Sequence, residues 1–239
     1  MIRFKSSVHR NCVETGTKRE DARLIPVFSR LLSVLMMLLC VSALHAAGGG
    51  DGSDKKQKKV AVAGCFFDDQ YGAHGFNYTY PPGSTISISR DVVKQGKVAL
   101  KFDLVPTAFS GGSICLQDKT LNLQPFINKG ALQFWIKGAV GDEKAWVALV
   151  DEDTTDKHKT VVRVDISWFG KISTDWSFIS IPLKHFGDRG VYWDETEQRE
   201  IDNDFDWDKV AEFRIEVRKD ENKSFTVWVD DIVVTKSIR

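Results

Sequence analysis

The stretch FTVWVDDIVV, residues 225–234, lies near the C-terminus and decides the fold class. Phe225, Val227 and Val229 share one parity along the chain, and Trp228 takes the other. An alternation of period two that is rich in β-branched and aromatic residues is typical of a half-buried β-strand. The stretch therefore predicts a strand that turns Trp228 away from its aliphatic neighbours.

The same alternation recurs along most of the chain. Strands are predicted at residues 60–67, 85–90, 98–104, 131–137, 146–150, 160–168, 178–183 and 212–218. Loops are predicted at residues 71–83, which are rich in Gly, Pro and Tyr, and at the acidic residues 187–208. No segment has sustained helical periodicity. Many short alternating strands separated by turn residues indicate an all-β sandwich.

The N-terminal residues predict export. The apolar run LLSVLMMLLCVSAL, residues 31–44, follows a basic segment and precedes Ala46 and Ala47. This order is typical of a secretory signal, and the run is shorter than the ~20 residues that span a bilayer. We predict a signal peptide with a long basic start at residues 1–47, with an uncleaved anchor as the alternative. The Gly- and Lys-rich residues 48–59 predict a flexible linker before one domain at residues 60–239.

The closing strand also carries a resemblance to a known family. An apolar strand that runs into Asp-Asp-Ile at residues 230–232 resembles the last strand of galactose-binding-like jelly rolls. These include family 11 carbohydrate-binding modules and the complex I intermediate-associated protein domain. The aromatic and acidic opening at residues 66–69 and the Gly-Lys turn at residues 96–97 match the same family. The resemblance implies a β-sandwich jelly roll that binds glycans on its concave sheet.

The resemblance further implies a structural calcium ion between the opening and closing strands. Matched by motif, its ligands would be Asp68 or Asp69 from the opening and Asp230 or Asp231 from the closing strand. Backbone carbonyls of the turn at residues 94–96 would complete the site, because calcium prefers carboxylate and carbonyl oxygens.

Strand parity predicts an aromatic and polar face for ligand binding. The aliphatic residues of segment 131–137 share one parity, so Trp135 is predicted to face outward. By the same argument, Arg214 and Glu216 are predicted to face outward from segment 212–218. An exposed indole stacks on the apolar face of a sugar ring, and charged side chains hydrogen-bond the sugar hydroxyls. The predicted ligand-binding residues are Gln133, Trp135, Asp151, Tyr192, Trp193, Arg214, Glu216 and Trp228. The alternative is that a second layer, a loop or a partner covers this face.

The sequence argues against catalysis. Its histidines lack metal-ligand spacing, and it contains no G-x-S-x-G motif. Glu195, Glu197 and Glu200 resemble the acidic strand of jelly-roll glycosidases, which need two carboxylates about 5 Å apart on a rigid strand. The polar residues between these acids predict a solvated loop instead.

Charge and cysteine content limit the remaining function classes. Basic and acidic residues are equal in number, 33 each, and no basic block favours nucleic acid. After processing, Cys65 and Cys115 remain, either as a disulfide or as buried free thiols. We predict an exported, monomeric, non-catalytic module in the periplasm, at the cell surface or outside the cell. It would bind a polysaccharide or oligosaccharide, with no stable membrane span after cleavage. A protein-assembly domain is the alternative, and a glycoside-active enzyme is a weaker one.

Overall fold

The computed structural model describes residues 61–69, 75–108, 110–116, 119–152, 158–217 and 225–237. The predicted signal peptide and linker lie outside these residues. Within the described ranges the chain forms thirteen β-strands and three short 3-10 helices. None of the helices in these ranges has the length and apolar character to cross a membrane.

The thirteen strands are numbered in chain order. They are β1 (Val62–Phe67), β2 (Gly75–Tyr80), β3 (Thr85–Ser89), β4 (Ala99–Leu104), β5 (Gly111–Leu116), β6 (Ala131–Gly138), β7 (Ala145–Asp151), β8 (Val161–Asp165), β9 (Ser177–Pro182), β10 (Arg189–Asp194), β11 (Arg199–Asp204), β12 (Val210–Val217) and β13 (Phe225–Thr235). The 3-10 helices are Gln124–Phe126, Ile166–Trp168 and Leu183–His185.

The strands form two antiparallel sheets. The six-stranded sheet has the order β3-β4-β13-β6-β9, and β1 pairs with the C-terminal half of β13. The seven-stranded sheet has the order β11-β10-β8-β7-β12-β5-β2. This architecture confirms the predicted all-β jelly-roll sandwich. The strand expected to close the domain, β13, lies in the middle of the first sheet, where it pairs with β4, β6 and β1.

The two inner faces share one apolar core. Phe134 of β6 and Phe213 of β12 are both fully buried, with ring centroids 5.7 Å apart across the sandwich. Each apolar side chain of this size contributes about 1.5–3 kcal/mol when it leaves water. The inward parity predicted for β6, β12 and β13 is confirmed, because Phe134, Ile215 and Val227 are each 0% exposed.

A β-bulge explains the two acids inside β13. The register against β6 shifts between Asp230 and Val233, and Asp231 has a backbone φ of 50°. Asp tolerates this left-handed conformation better than most residues do. Asp230 is 1% exposed, and its Oδ2 accepts hydrogen bonds from the amides of Lys94 and Gln95 at 2.9 and 3.0 Å. The buried carboxylate is therefore held by hydrogen bonds.

Several predicted boundaries were wrong. Segment 160–168 is strand β8 followed by a 3-10 helix, whose first turn is capped by the Asp165 carboxylate accepting from the Ser167 amide at 2.8 Å. Strand β2 lies inside predicted loop 71–83, and the hairpin β10–β11 lies inside predicted loop 187–208. Both are rich in polar or turn residues, and β2 and β11 are the edge strands of the seven-stranded sheet. An edge strand needs less apolar alternation than a central one.

The two cysteines are free thiols. Burial, followed by the nearby charge of Asp68, raises the pKa of Cys65 to about 11. Burial and then the charge of Glu212 raise the pKa of Cys115 to about 12. Both thiols are therefore protonated at neutral pH and act as small apolar side chains.

Candidate functional site

The outer face of the seven-stranded sheet carries a row of charged side chains along β12. Glu212, Arg214 and Glu216 alternate with the core residues Phe213 and Ile215, as parity predicts. They are not exposed, however: only 1%, 9% and 7% of their surfaces reach solvent. Charged side chains are rarely buried without partners, so the neighbouring strands must supply those partners.

Arg214 is the centre of a hydrogen-bond network. Its Nε donates to Ser113 Oγ at 2.7 Å on the neighbouring strand β5. Its Nη2 donates to Tyr78 Oη at 2.8 Å and to Glu212 Oε2 at 3.1 Å, and its Nη1 donates to Glu216 Oε1 at 3.4 Å. Tyr78 in turn donates its hydroxyl to Glu212 at 2.8 Å. The guanidinium is thus fixed from several sides and has a single well-defined orientation.

The ionisation of this network follows from its charges. Burial alone would raise the pKa of Glu212, but the charges of Arg214 and Lys159 hold that pKa below its ordinary value. The Lys159 ammonium lies 2.7 Å from Glu212 Oε1. Burial also raises the pKa of the Tyr80 hydroxyl, which keeps it protonated at neutral pH. Glu212 therefore remains ionised in the folded protein at neutral pH.

Beside this network lies a pocket of about 540 Å³. Three aromatic residues line it: Tyr80 from β2, Trp146 from β7 and Trp193 from β10. Its charged lining residues are Arg163, Glu200, Arg214 and Glu216. We call the outer surface that carries these residues the pocket face.

Arg163 connects the pocket floor to its wall. Its Nη2 pairs with Glu200 Oε1 at 3.0 Å, and its Nε lies 3.3 Å from Glu216 Oε2. Glu200 lies on hairpin β10–β11 directly opposite Trp193. The guanidinium carbon is also 5.8 Å from the ring centroid of Trp146, within cation–π range. One side chain therefore contacts the floor, the hairpin and an aromatic residue.

The outer face of the six-stranded sheet is different, and we call it the lysine face. It carries Trp135 and Trp228 on the neighbouring strands β6 and β13, both partly exposed. Lys94 Nζ lies 4.2 Å from the Trp135 ring centroid, and Lys101 Nζ lies 5.8 Å from that of Trp228. The half-exposed ring of Phe178 packs beside Trp135 with centroids 5.1 Å apart. The indoles are thus already in contact with lysines and a second ring.

The structure separates the predicted binding residues. Trp135 and Trp228 share a surface, as parity requires, but Arg214 and Glu216 lie on the outer face of the other sheet. The prediction that all of them form one face was therefore wrong. Parity tells which side of its own sheet a residue faces, and it does not tell which sheet the strand joins. Gln133 belongs to the lysine face, where its Nε2 donates to Ser180 Oγ at 3.1 Å.

The remaining predicted residues, Tyr192, Trp193 and Asp151, also lie in different environments. Trp193 lines the pocket together with Arg214 and Glu216. Tyr192 has the opposite parity on β10 and stacks on His158 with centroids 4.4 Å apart. Asp151 is completely buried at the end of β7, where its carboxylate accepts from the amides of Thr160 and Asp206. Asp151 does not line the pocket, and both of its carboxylate oxygens already accept hydrogen bonds within the protein, so it is not placed to contact a ligand there.

Among the aromatic and charged residues of the pocket, sequence reasoning missed four: Tyr80, Trp146, Arg163 and Glu200. The outward parity that selected Trp135 applies equally to Trp146, which alternates with buried Val147 on β7. Tyr80 and Glu200 were missed because β2 and β11 were predicted as loops. The alternation of Phe76, Tyr78 and Tyr80 with Asn77 and Thr79 could have indicated β2, whereas no such alternation marks β11.

The four acids expected to bind calcium lie where the opening and closing strands meet. Asp69 Oδ1 accepts from the amides of Lys97 and Val98 at 2.7 and 3.1 Å, as Asp230 does from those of Lys94 and Gln95. The turn thus presents N–H groups to these two carboxylates, where carbonyls were predicted. Within the described ranges, no three side chains of His, Cys, Asp or Glu are grouped to hold a metal.

The Asp231 carboxylate is crowded by negative charge. Burial and then the charges of Asp230, Asp69 and Asp68 raise the pKa of Asp231. Calcium binds carboxylate oxygens, and those of Asp69 and Asp230 already accept from backbone amides, so Asp231 fits such an ion better than Asp69 and Asp230 do.

Comparison with known proteins identifies the family. The sequence model described as Carbohydrate binding domain 30 matches residues 65–236. The chain belongs to this family. The predicted resemblance to carbohydrate-binding jelly rolls is therefore confirmed, and carbohydrate binding is favoured over the assembly-domain alternative.

Solved structures of the family share the fold. A family 30 carbohydrate-binding module superposes with a TM-score of 0.55 at 24% identity, covering 73% of this chain and 98% of that one. The family 30 module of a cellulosomal cellulase from Clostridium thermocellum gives a TM-score of 0.54 at 22% identity, covering 72% of this chain and 95% of that one. No curated protein matches the sequence.

Proposed function

We propose that the pocket on the seven-stranded sheet is where this carbohydrate-binding domain holds a polysaccharide or oligosaccharide, and that it does so without catalysis. One observation carries the proposal. Tyr80, Trp146 and Trp193 line the same depression as Arg163 and Glu200. Aromatic rings and fixed polar groups are the two kinds of contact that a sugar requires.

The chemistry of the pocket supports an uncharged glycan. Indole and phenol rings cover the apolar faces of sugar rings, and the carboxylates and guanidinium exchange hydrogen bonds with hydroxyls. Arg163 and Arg214 are each paired with glutamates, so an anionic sugar would find no unpaired cation among them. Their network also fixes the side chains before binding, which lowers the conformational entropy lost when a ligand arrives.

The same geometry supports binding without hydrolysis. A glycosidase needs one carboxylate that donates a proton and a second that acts as nucleophile or base. Glu200 and Glu216, the two carboxylates of the pocket, both pair with the guanidinium of Arg163. This arrangement suits hydrogen bonding to sugar hydroxyls.

We propose that the domain acts as an exported monomer. The signal-like residues 1–47 support export, as does the presence of a family 30 module in a cellulosomal cellulase of Clostridium thermocellum.

Matched variants on the two faces test the binding site. Trp193 and Phe178 are aromatic residues with similar exposure, 44% and 48%, on different sheets. Affinities would be measured by calorimetry against cellohexaose, laminarihexaose, xylohexaose and mannohexaose. Trp193→Ala should weaken the tightest of these complexes by about 2 kcal/mol, roughly thirtyfold, and Phe178→Ala should leave it unchanged. The reverse pattern would refute the site.

We also propose a calcium ion at Asp231 and Asp68. The support is the family resemblance together with the like-charge crowding that raises the pKa of Asp231. An ion bound only by the folded state raises the free energy of unfolding by about 2.7 kcal/mol at one hundred times its dissociation constant. Thermal melting with calcium and with chelator should therefore differ for the wild type and coincide for Asp231→Asn. A wild-type melting temperature that is indifferent to chelator would rule the ion out.

A further inference from the structure

One polar side chain at the pocket, that of Ser110, has no hydrogen-bond partner among the described residues. Ser110 lies just before β5 and lines the pocket, and it is 3% exposed. Its backbone carbonyl accepts from the Val217 amide at 2.9 Å, so the main chain is integrated into the sheet. Its hydroxyl, by contrast, makes no hydrogen bond within the part of the chain that the structure describes.

A second donor at the same pocket, the Nε–H of Arg163, also makes no hydrogen bond within the described ranges. The Nε of Arg163 is buried and lies 3.3 Å from Glu216 Oε2, close enough for an ion pair. The N–H is not aligned for a hydrogen bond with that oxygen or with any other described acceptor. The guanidinium is therefore held by its Nη2 hydrogen bond with Glu200 and by the ion pair with Glu216, while its Nε–H makes no hydrogen bond.

Unsatisfied buried groups are rare in folded proteins and need an explanation. More than nine in ten buried polar groups have a hydrogen-bond partner, because leaving one without a partner costs free energy. In the described ranges, the buried side-chain atoms without a hydrogen bond are Ser110 Oγ and Arg163 Nε, and both belong to residues that line this pocket. Their shared location points to a ligand that supplies the missing partners.

We propose that Ser110 is a specificity-determining residue, whose hydroxyl hydrogen-bonds a sugar hydroxyl near the start of β5. Arg163 donates its Nε–H to a ligand oxygen in the same pocket. This inference rests on the proposed function, and it specifies a sugar hydroxyl as the group that the site recognises. A site built to hydrogen-bond a hydroxyl discriminates against a sugar that lacks it, because the buried protein group is then left unpaired.

The test uses the full chain and the hexasaccharide that binds most tightly in the panel above. Ser110→Ala should weaken binding by about three- to tenfold, the effect of deleting one hydrogen bond. The same variant should keep or raise the melting temperature, because it removes a buried hydroxyl that the free protein does not satisfy. Ser87→Ala, an exposed serine on β3 of the other sheet, is the matched control and should change neither quantity.

The outcomes separate ligand recognition from a structural role. Unchanged affinity in Ser110→Ala would overturn the proposal, because the hydroxyl then contributes nothing to binding. A lower melting temperature would also overturn it, because the hydroxyl then has a partner within the protein. Arg163→Lys keeps the positive charge and removes the Nε–H, and it should weaken binding severalfold. If Trp193→Ala also binds normally, the proposed pocket itself fails, which is a different result from the failure of Ser110 alone.

Discussion

The two outer faces of the sandwich carry the same kinds of residue in different arrangements. On the pocket face, the central cation Arg214 is 9% exposed and is hydrogen-bonded by Ser113, Tyr78 and Glu212. On the lysine face, the Lys101 side chain is 34% exposed, and its ammonium forms an ion pair of 2.6 Å with Asp103, whose side chain is 37% exposed. The first arrangement builds a rigid floor, whereas the second leaves flexible charges at the surface.

The aromatic residues differ in the same way. Trp146 and Trp193 line a depression whose wall is the hairpin β10–β11. Trp135 lies on a sheet face where Lys94 and Phe178 already contact its ring. A sugar that stacked on Trp135 would first have to displace Lys94. Outward parity is therefore insufficient to identify a binding tryptophan, and the surroundings of the ring decide.

The largest difference between the faces should appear in stability. Arg214→Met leaves buried Glu212 with Lys159 as its remaining cation and Glu216 with Arg163, and breaking a buried pair in this way costs up to about 3–5 kcal/mol. Lys101→Met removes a half-exposed pair and should cost less than about 1 kcal/mol. Denaturant titration of both variants would measure the two free energies of unfolding. Equal losses would mean that the Arg214 network is no more important than a surface ion pair.

A smaller difference should appear in the pH dependence of stability. Because the folded-state pKa of Glu212 lies below its ordinary value of 4.5, its contribution is present above that pH and is lost as pH falls through the folded-state pKa. Glu212→Gln should therefore flatten the decline in the free energy of unfolding between about pH 6 and pH 3. An identical slope in wild type and Glu212→Gln would contradict the assigned electrostatics.

The sequence predicted the fold well where alternation was strong. Segments 131–137, 212–218 and 225–234 fixed the inward faces of three central strands, because burial on one side forces a period of two. The same reasoning missed β2, because its alternating Phe76, Tyr78 and Tyr80 lie among turn-forming residues, and it failed for hairpin β10–β11, whose polar residues carry no such pattern. These elements supply Tyr80 and Glu200, which were therefore not predicted to bind a ligand, whereas Trp193 of the same hairpin was predicted.

The placement of strands in one sheet or the other was the second limit. The outward orientation of Arg214 and of Trp228 follows from parity, but their placement on different sheets depends on long-range pairing. Strand β12 pairs with β5 and β7, and β13 pairs with β4 and β6. The burial of Arg214 depends on Tyr78 and Tyr80 from an edge strand more than 130 residues earlier in the chain. Local periodicity carries no information about such contacts.

The central claim is that the glycan binds on the pocket face and not on the lysine face. One titration tests it directly: the indole N–H signals of the seven tryptophans, followed by nitrogen–proton NMR while the tightest-binding hexasaccharide is added. If the glycan binds on the pocket face, the signals of Trp146 and Trp193 will shift with ligand concentration, whereas those of Trp135 and Trp228 will stay in place. Shifts confined to Trp135 and Trp228 would contradict binding on the pocket face and would locate the binding site on the six-stranded sheet.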